Sequence, residues 1–386
     1  MNFKVTDTIE YIGVNDKKID LFESQYVVPN GISYNSYLIK DEKNVVMDTV
    51  DKVAKDEWFD NLDKVLCKEN IDYLVISHLE PDHSANIQGL AEKYPNMKII
   101  LNSRTEVMMK QFVDLDLTDR YVIVDEGDVI DVGKHKLQFF MAPMVHWPEV
   151  MVTYEQTEKL LFTADAFGKF GTLDTDEDWD CEARRYYFNI VGRYGAQVQQ
   201  LLKKVSNLDV SIICPLHGPI LKENLSYYIN KYDIWSSYKP EDEGVLIAYN
   251  SIHGNTRNAI EVLEKMLITN GAKKVIVSDL AREDMAEIIE DAFRYDKLII
   301  ASPTYDMGLF PTTETFLRKL KHKNYQNRKI GIIENGSWAP MSAKLMQDII
   351  KDMKNIELCN TIVTIKTRLN NDSKESLESL VKEILS

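Results

Sequence analysis

The apolar positions of this chain follow two rhythms. Up to about residue 241, short runs alternate with period two between polar turns. ISYNSYLIK (32–40) and KNVVMD (43–48) read as a hairpin turning at Asp41-Glu42. Residues 51–69 place Val53, Trp58, Leu62, Val65 and Leu66 at helical spacing. A strand follows at Tyr73-Leu-Val-Ile-Ser77, then a loop and a helix starting near Ser84. KIILN (98–102), YVIVD (121–125), KLQFFMAP (136–143), EVMVTY (149–154), KLLFTAD (159–165) and VSIICP (210–215) read as further strands, and roughly 180–205 as one long helical stretch. Helices scattered among mixed strand pairs predict two sheets with helices outside.

The polar segment Tyr238-Lys-Pro-Glu-Asp-Glu-Gly244 marks a seam. Beyond it, strands Val245–Ser251, Lys274–Leu280, Lys297–Tyr305 and Lys329–Gly336 alternate with helices near 255–269, 283–294, 311–321 and 340–353. A last strand near 361–368 precedes a helix from about 373. Five βα units predict a doubly wound parallel sheet. The chain therefore reads as a two-domain α/β protein, divided into 1–241 and 242–386.

Composition narrows the function. The 386 residues contain 44% hydrophobic and 28% charged side chains, which excludes bulk disorder. The net charge of −15, without a basic block, argues against nucleic acid. No stretch approaches the ~20 apolar residues of a membrane span, and the start, MNFKVTDTIEYIGVND, carries no secretion pattern. Cys67, Cys181, Cys214 and Cys359 form no C-x-x-C pair, so no iron–sulfur knot or zinc ribbon is written here. Scattered cysteines fit a reduced cytoplasm.

Four of the seven histidines sit where strands end: His78, His83, His146 and His217. The first two belong to His78-Leu-Glu80-Pro-Asp82-His83, where Pro81 predicts a stiff turn rather than a helix. A lone histidine at a strand end is usually a hydrogen-bonded structural residue, and His135, His253 and His322 are read so. Four ligand-type side chains in six residues are better read as metal ligands. With Asp165 at the end of KLLFTAD, the set holds four imidazoles and three carboxylates. Seven ligands are too many for one tetrahedral zinc and suit two metals sharing a carboxylate. Without thiolates the set favours iron or manganese, although zinc also accepts His and carboxylate.

The loop resembles the metallo-β-lactamase motif H-x-H-x-D-H, with Glu80 in place of the second histidine. That replacement, with AP-M-V-H-W-P-E at 142–149, ADAFGKFG at 164–171 and CPLHGP at 214–219, resembles the flavodiiron proteins (A-type flavoproteins) over essentially the whole chain. The resemblance implies an N-terminal αββα metallo-β-lactamase-like sandwich. It implies that His78, Glu80 and His146 bind one iron, that Asp82, His83 and His217 bind the other, and that Asp165 bridges. It also matches Tyr194, in Gly192-Arg-Tyr-Gly195, to a family tyrosine near the substrate pocket; a helix-face core residue is the plain alternative. Some members carry a further histidine where this chain has Ser24-Gln25-Tyr26, which leaves its proton donor and gas preference open.

The second half opens with a strand, then Ser251-Ile252-His253-Gly254-Asn255-Thr256 at a helix start. Hydroxyls and amides there form a phosphate cradle. It lacks the lysine of a P-loop and the G-x-G-x-x-G of a dinucleotide site, so one phosphate, that of FMN, fits best. Two more loops, Ser302-Pro303-Thr304-Tyr305-Asp306-Met307-Gly308 and Asn335-Gly336-Ser337-Trp338, end the third and fourth strands beside the switch point of a 2-1-3-4-5 sheet. Gly308 and Gly336 would admit a flat ring and Trp338 would stack on it. These loops resemble flavodoxin.

Two irons beside FMN predict an oxidoreductase that reduces dioxygen to water, or couples nitric oxide to nitrous oxide; the resemblance to anaerobe-type oxygen scavengers and the absent histidine favour oxygen. The resemblance implies an external donor such as rubredoxin, and a head-to-tail homodimer or a tetramer. The alternatives are a predominantly nitric oxide reducing enzyme, a binuclear zinc hydrolase with a flavodoxin appendage, and an electron shuttle whose first domain only docks partners.

Overall fold

The computed structural model describes residues 2–386. The chain forms two compact units, one running to Tyr187 with Ala196–Asp233 added, the other comprising Phe188–Gly195 and Ile234–Ser386. The division falls before the Tyr238–Gly244 seam. In the second unit Trp235 is buried, meets the Phe188 ring at 6.3 Å and donates its indole N–H to Glu241 at 2.6 Å.

The first unit contains two main sheets. One has seven strands in the order Phe3–Lys4, Ile9–Tyr11, Tyr37–Ile39, Val45–Met47, Tyr73–Val75, Lys98–Leu101 and Tyr121–Ile123. The other has five: Val129–Asp131, Lys136–Met141, Met151–Glu155, Leu160–Phe162 and Ile212–Cys214. Alternate residues of both face one core, where Tyr37, Ile39, Met47 and Val75 pack with Phe139, Met151 and Phe162. Residues between them, such as Leu38, Val46 and Leu74, are equally buried on the other face. Helix Lys55–Leu66 buries Trp58, Leu62 and Leu66. This is the αββα sandwich.

Three local readings change. The run 32–40 is two strands, because Ile32–Tyr34 pairs with Val14–Asp16 in a small separate sheet and only Tyr37–Ile39 pairs with Val45–Met47. Pro81 does not exclude a helix: it opens the single turn Pro81–Ser84, where a proline ring suits the first helical position, and the next helix is Ile87–Lys93. The stretch 180–205 is broken. Helix Trp179–Tyr186 passes through a π-type turn at Tyr187–Val191 and a 3₁₀ turn at Gly192–Tyr194 before helix Gly195–Val205.

In the second unit, five parallel strands run in the order Val275–Asp279, Asp242–Tyr249, Tyr295–Tyr305, Arg328–Asn335 and Ile356–Ile365. This is the 2-1-3-4-5 order. Helices Asn255–Thr269 and Asn371–Leu385 cover one face through Leu263, Leu267, Leu377 and Leu380. Helices Met285–Arg294, Pro311–His322 and Ser342–Ile350 accompany the sheet elsewhere. Among the described residues no helix is long and apolar enough to cross a membrane.

Candidate functional site

Each predicted ligand leaves the end of a strand. Buried Asp48 accepts hydrogen bonds from the amides of Ser77 at 2.7 Å and His78 at 3.3 Å, which fixes the end of the Tyr73–Val75 strand. His78, Glu80, Asp82 and His83 follow. His146 lies between strands Lys136–Met141 and Met151–Glu155, Asp165 follows Leu160–Phe162, and His217 follows Ile212–Cys214.

The seven side chains converge as two groups with one shared member. In the first, His146 Nε2 lies 2.9 Å from Asp165 Oδ2 and 3.1 Å from Glu80 Oε2. His78 Nε2 lies 3.2 Å from the same Glu80 oxygen and 3.6 Å from Asp165 Oδ2. In the second, His83 Nε2 and His217 Nε2 face each other at 3.1 Å, and Asp82 Oδ2 lies 3.4 and 3.2 Å from them. The other Asp165 oxygen, Oδ1, is 3.2 Å from His83 Nε2 and 3.7 Å from His217 Nε2. Asp165 therefore turns one oxygen to each group, the arrangement a bridging carboxylate needs.

The donor set fits cations. Both Asp82 oxygens and Asp165 Oδ1 are buried without a hydrogen bond, a costly state unless a positive charge lies among them. His217 Nδ1 donates to Ser33 O at 2.7 Å, so its Nε2 is left as a lone pair facing inward. Burial lowers the pKa of His78, but its bonds to Glu149 and Glu80 outweigh that and hold it well above its ordinary value. His146, likewise buried, is raised to about 9 by Asp165 and Glu80. Burial pushes Glu80 up, yet His146 and His78 bring it down to about 2; Asp165, buried too, is held well below its usual range by His146 and His83. Protons here occupy the place of cations, and metal binding has to release them.

Sequence reasoning missed three supporting residues. Buried Glu149 accepts from His78 Nδ1 at 2.8 Å and from the Leu79 amide at 2.9 Å through one oxygen; it ends the quoted 142–149 segment, which was the available signal. Asp48 closes KNVVMD. Buried Tyr186 brings its ring to 5.6 Å from His217, and burial, then Asp165, Asp82 and Glu80, raise its pKa well above the ordinary phenol value. Tyr194 is half-buried in the Phe188–Gly195 segment of the second unit. Within the first unit, Tyr34 also sets its ring against His217, at 6.1 Å.

The second unit holds a cavity of about 470 Å³ at the carboxyl ends of its first, third and fourth strands. Ser251, Ile252, His253, Asn255, Thr256, Pro303, Thr304, Tyr305, Asp306, Met307, Asn335, Gly336, Ser337 and Trp338 all line it. Gly254 and Ser302 do not, while Ala339 and Thr367 join it. Gly254, at φ +87°, precedes helix Asn255–Thr269, in whose first turn Arg257 N–H donates to Ser251 Oγ at 3.2 Å and Asn258 N–H to Gly254 O at 2.9 Å, ahead of which the Asn255 and Thr256 amides open the helix. Buried Asn250 leaves its Nδ2 without a partner at the start of this loop. These features fit a ligand bearing one phosphate. Trp338 is 89% exposed at the rim. Gly336 is bare for another reason than a flat ring, since a Cβ there would meet Pro340 Cα at 2.9 Å, and Gly308 lies outside the lining. Thr304 Oγ1 accepts from Met341 N at 2.9 Å and Ser342 N at 3.2 Å, which ties the rim to the next helix.

A lactamase-like sandwich with a shared-carboxylate ligand set, followed by a flavodoxin-like sheet, defines a class of oxidoreductases. Residues 32–218 match the model of the "ODP family beta lactamase". An anaerobic nitric oxide reductase flavorubredoxin of Vibrio vulnificus is 30% identical over 98% of this chain and 78% of its own. An uncharacterised protein of Methanocaldococcus jannaschii is 31% identical over 92% of this chain and 90% of its own. Among solved structures, the rubredoxin oxygen:oxidoreductase of Desulfovibrio gigas superposes with a TM-score of 0.92 at 26% identity, covering 100% of this chain and 98% of that one. A mutant flavo di-iron protein of Thermotoga maritima has the same fold, with a TM-score of 0.90 at 24% identity over 100% and 98% of the two chains. The chain belongs to the flavodiiron protein family, alongside the flavorubredoxins.

Proposed function

We propose that this protein reduces dioxygen to water at a diiron centre held by His78, Glu80, His146, Asp82, His83 and His217 with Asp165 bridging, using electrons passed through FMN from an external donor. The observation that carries this reading is Asp165, whose two oxygens face two separate ligand groups. Two ferrous ions would supply two electrons and reduced FMN two more, which suffices for one O2, or for two NO coupled to N2O and water. The chain's own part is to orient ligands: Glu149 and Ser33 aim the rings of His78 and His217. In the second unit, Ser251 to Thr256 would take the FMN phosphate, and the loops at 303–307 and 335–338 would flank its ring.

Nitric oxide is the second reading, favoured by the activity in the flavorubredoxin's name. The donor is proposed to be rubredoxin, the partner in the name of the Desulfovibrio gigas enzyme; no C-x-x-C pair of this chain could serve in its place. A homodimer or tetramer in the cytoplasm is the proposed setting, in keeping with four unbridged cysteines.

The test is metal and flavin analysis of pure protein, then anaerobic reduction and separate O2 and NO consumption assays. Two irons and one FMN per chain are expected. Asp165→Ala should lose iron and gas consumption while keeping FMN, with activity down by more than the about 10–100-fold typical of outer-shell losses. Zinc without iron, together with cleavage of a model ester, would move the protein to the hydrolases.

A further inference from the structure

A phosphate monoester carries about −1.5 to −2 charge at neutral pH, and the loop proposed to hold it offers mostly neutral donors. Ser251 Oγ accepts from the Arg257 amide at 3.2 Å and Thr256 Oγ1 from Asn335 Nδ2 at 3.3 Å, which leaves both hydroxyl protons for another acceptor. Asn250, just before them, is buried. Its Oδ1 accepts from Thr312 Oγ1 at 2.9 Å and Thr313 Oγ1 at 2.6 Å, and its Nδ2 has no acceptor. Positive charge is the missing ingredient. Among the described residues that line the cavity there is no lysine and no arginine. Arg257, on the first helical turn, is directed elsewhere: its Nε donates to Tyr249 Oη at 3.1 Å and its Nη2 to Asp279 Oδ2 at 3.0 Å, an oxygen that Arg282 also approaches at 3.5 Å. Lys366 and Arg368 flank the lining residue Thr367 but stay outside the lining.

The ionisable groups that do line it are His253, Tyr305 and Asp306. His253, read from the sequence as a structural residue, is instead exposed in the cradle itself, and its ring has no partner among the described residues. The next residue, Gly254, leaves open space around its backbone. We propose that His253, as an imidazolium, is the counter-charge of the FMN phosphate, so that this protein holds its flavin more tightly at lower pH. The inference rests on the FMN reading above and adds a charge to a cradle otherwise built of amides and hydroxyls. Of the groups facing the cavity, a carboxylate such as Asp306 and a phenol such as Tyr305 ordinarily keep one charge state between pH 6.5 and 8.5, and the Arg257–Asp279 pair does too. Imidazole changes charge in that range. The linkage is reciprocal: an anion that favours the protonated ring is bound better by it, so affinity falls as rising pH removes the proton. A flavin without phosphate gains nothing from that charge.

The experiment uses the full-length chain with its metals in place and its flavin removed, for wild type, His253→Gln and His253→Lys. FMN and riboflavin are titrated in at pH 6.5, 7.5 and 8.5, and flavin fluorescence gives each Kd. In wild type the Kd for FMN should rise about five- to tenfold from pH 6.5 to 8.5, while that for riboflavin stays level. His253→Gln should bind FMN at every pH as weakly as wild type does at pH 8.5, with riboflavin unaffected. His253→Lys, charged throughout, should hold FMN tightly at all three. A wild-type Kd for FMN that ignores pH would overturn the proposal, and so would a rise that persists in His253→Gln or that riboflavin shares; in each case FMN still binds and the reading of the cavity stands. Binding of neither flavin at any pH would overturn that reading and the proposal with it.

Discussion

At the scale of single residues, the two ligand groups are alike in type and unlike in support. His78 hands its Nδ1 proton to a buried carboxylate, Glu149, whereas His217 hands its own to a neutral carbonyl, Ser33 O. A carboxylate partner makes an imidazole the stronger donor. Glu149→Gln keeps the shape and removes the charge, so the first group should lose about 10–100-fold in metal affinity while the second is spared. Chelator competition on protein carrying two metals should then show one ion leaving early and one leaving at the wild-type concentration. The convergence of these seven side chains was legible in the sequence because His, Asp and Glu advertise their chemistry wherever a strand ends. Glu149 was not, because it acts only through the ring of His78, 71 positions away.

At the scale of elements, turns between strands carry their own electrostatics. Asp41, at the hairpin turn preceding strand Val45–Met47, accepts from His135 N at 2.7 Å and from His135 Nδ1 at 2.6 Å, and its side chain is 4% exposed. Burial works against its charge, but bonds from the Lys134, His135 and Glu42 backbone prevail and lower its pKa from 3.8 to about 2. A carboxylate depressed on folding stabilises the fold above its unfolded pKa and loses that contribution as pH falls toward the folded one. Asp41→Asn should therefore cost about 1–2 kcal/mol at neutral pH, and the gap should close between pH 4 and 2; urea titrations of both proteins across that range measure it. The hairpin at 37–47 was readable from alternation and its polar turn. The break at Asn35-Ser36 was not, since those polar residues are satisfied from afar: Asn35 Nδ2 donates to Pro215 O at 2.9 Å and Gly218 O at 2.8 Å, and Ser36 Oγ to Asp48 O at 2.8 Å. The small hairpin in which Leu21–Phe22 pairs with Tyr26–Val27 left no trace because its turn lacks the glycine or asparagine by which such turns are recognised. The second unit was read almost strand for strand, because each parallel strand is a continuous apolar run and each helix is amphipathic.

At the scale of the whole molecule, the proposed metal centre also joins the first unit together. His78 to His83 leave the seven-stranded sheet, while His146, Asp165 and His217 leave the five-stranded one. Ions bound among them would cross-link both layers of the sandwich, adding to the apolar core between them and to hydrogen bonds such as Tyr37 Oη–H to Pro215 O at 2.7 Å. Three carboxylates share this pocket, and without metal only protonated imidazoles oppose their repulsion. Ligands that bind only the folded state stabilise it by about 4 kcal/mol at a thousandfold excess over Kd, and a domain of about 150–250 residues shifts by about 2–4 °C per kcal/mol. Stripping the metal should therefore lower the unfolding midpoint of the first unit by on the order of 10 °C. The flavin pocket draws every lining residue from the second unit, so FMN release should keep its own midpoint. Circular dichroism and flavin fluorescence, followed together on holo and chelated protein, separate the two. If chelation moved neither signal, the seven side chains would not be holding ions that matter to the fold, and protonated imidazoles alone would have to keep the three carboxylates together.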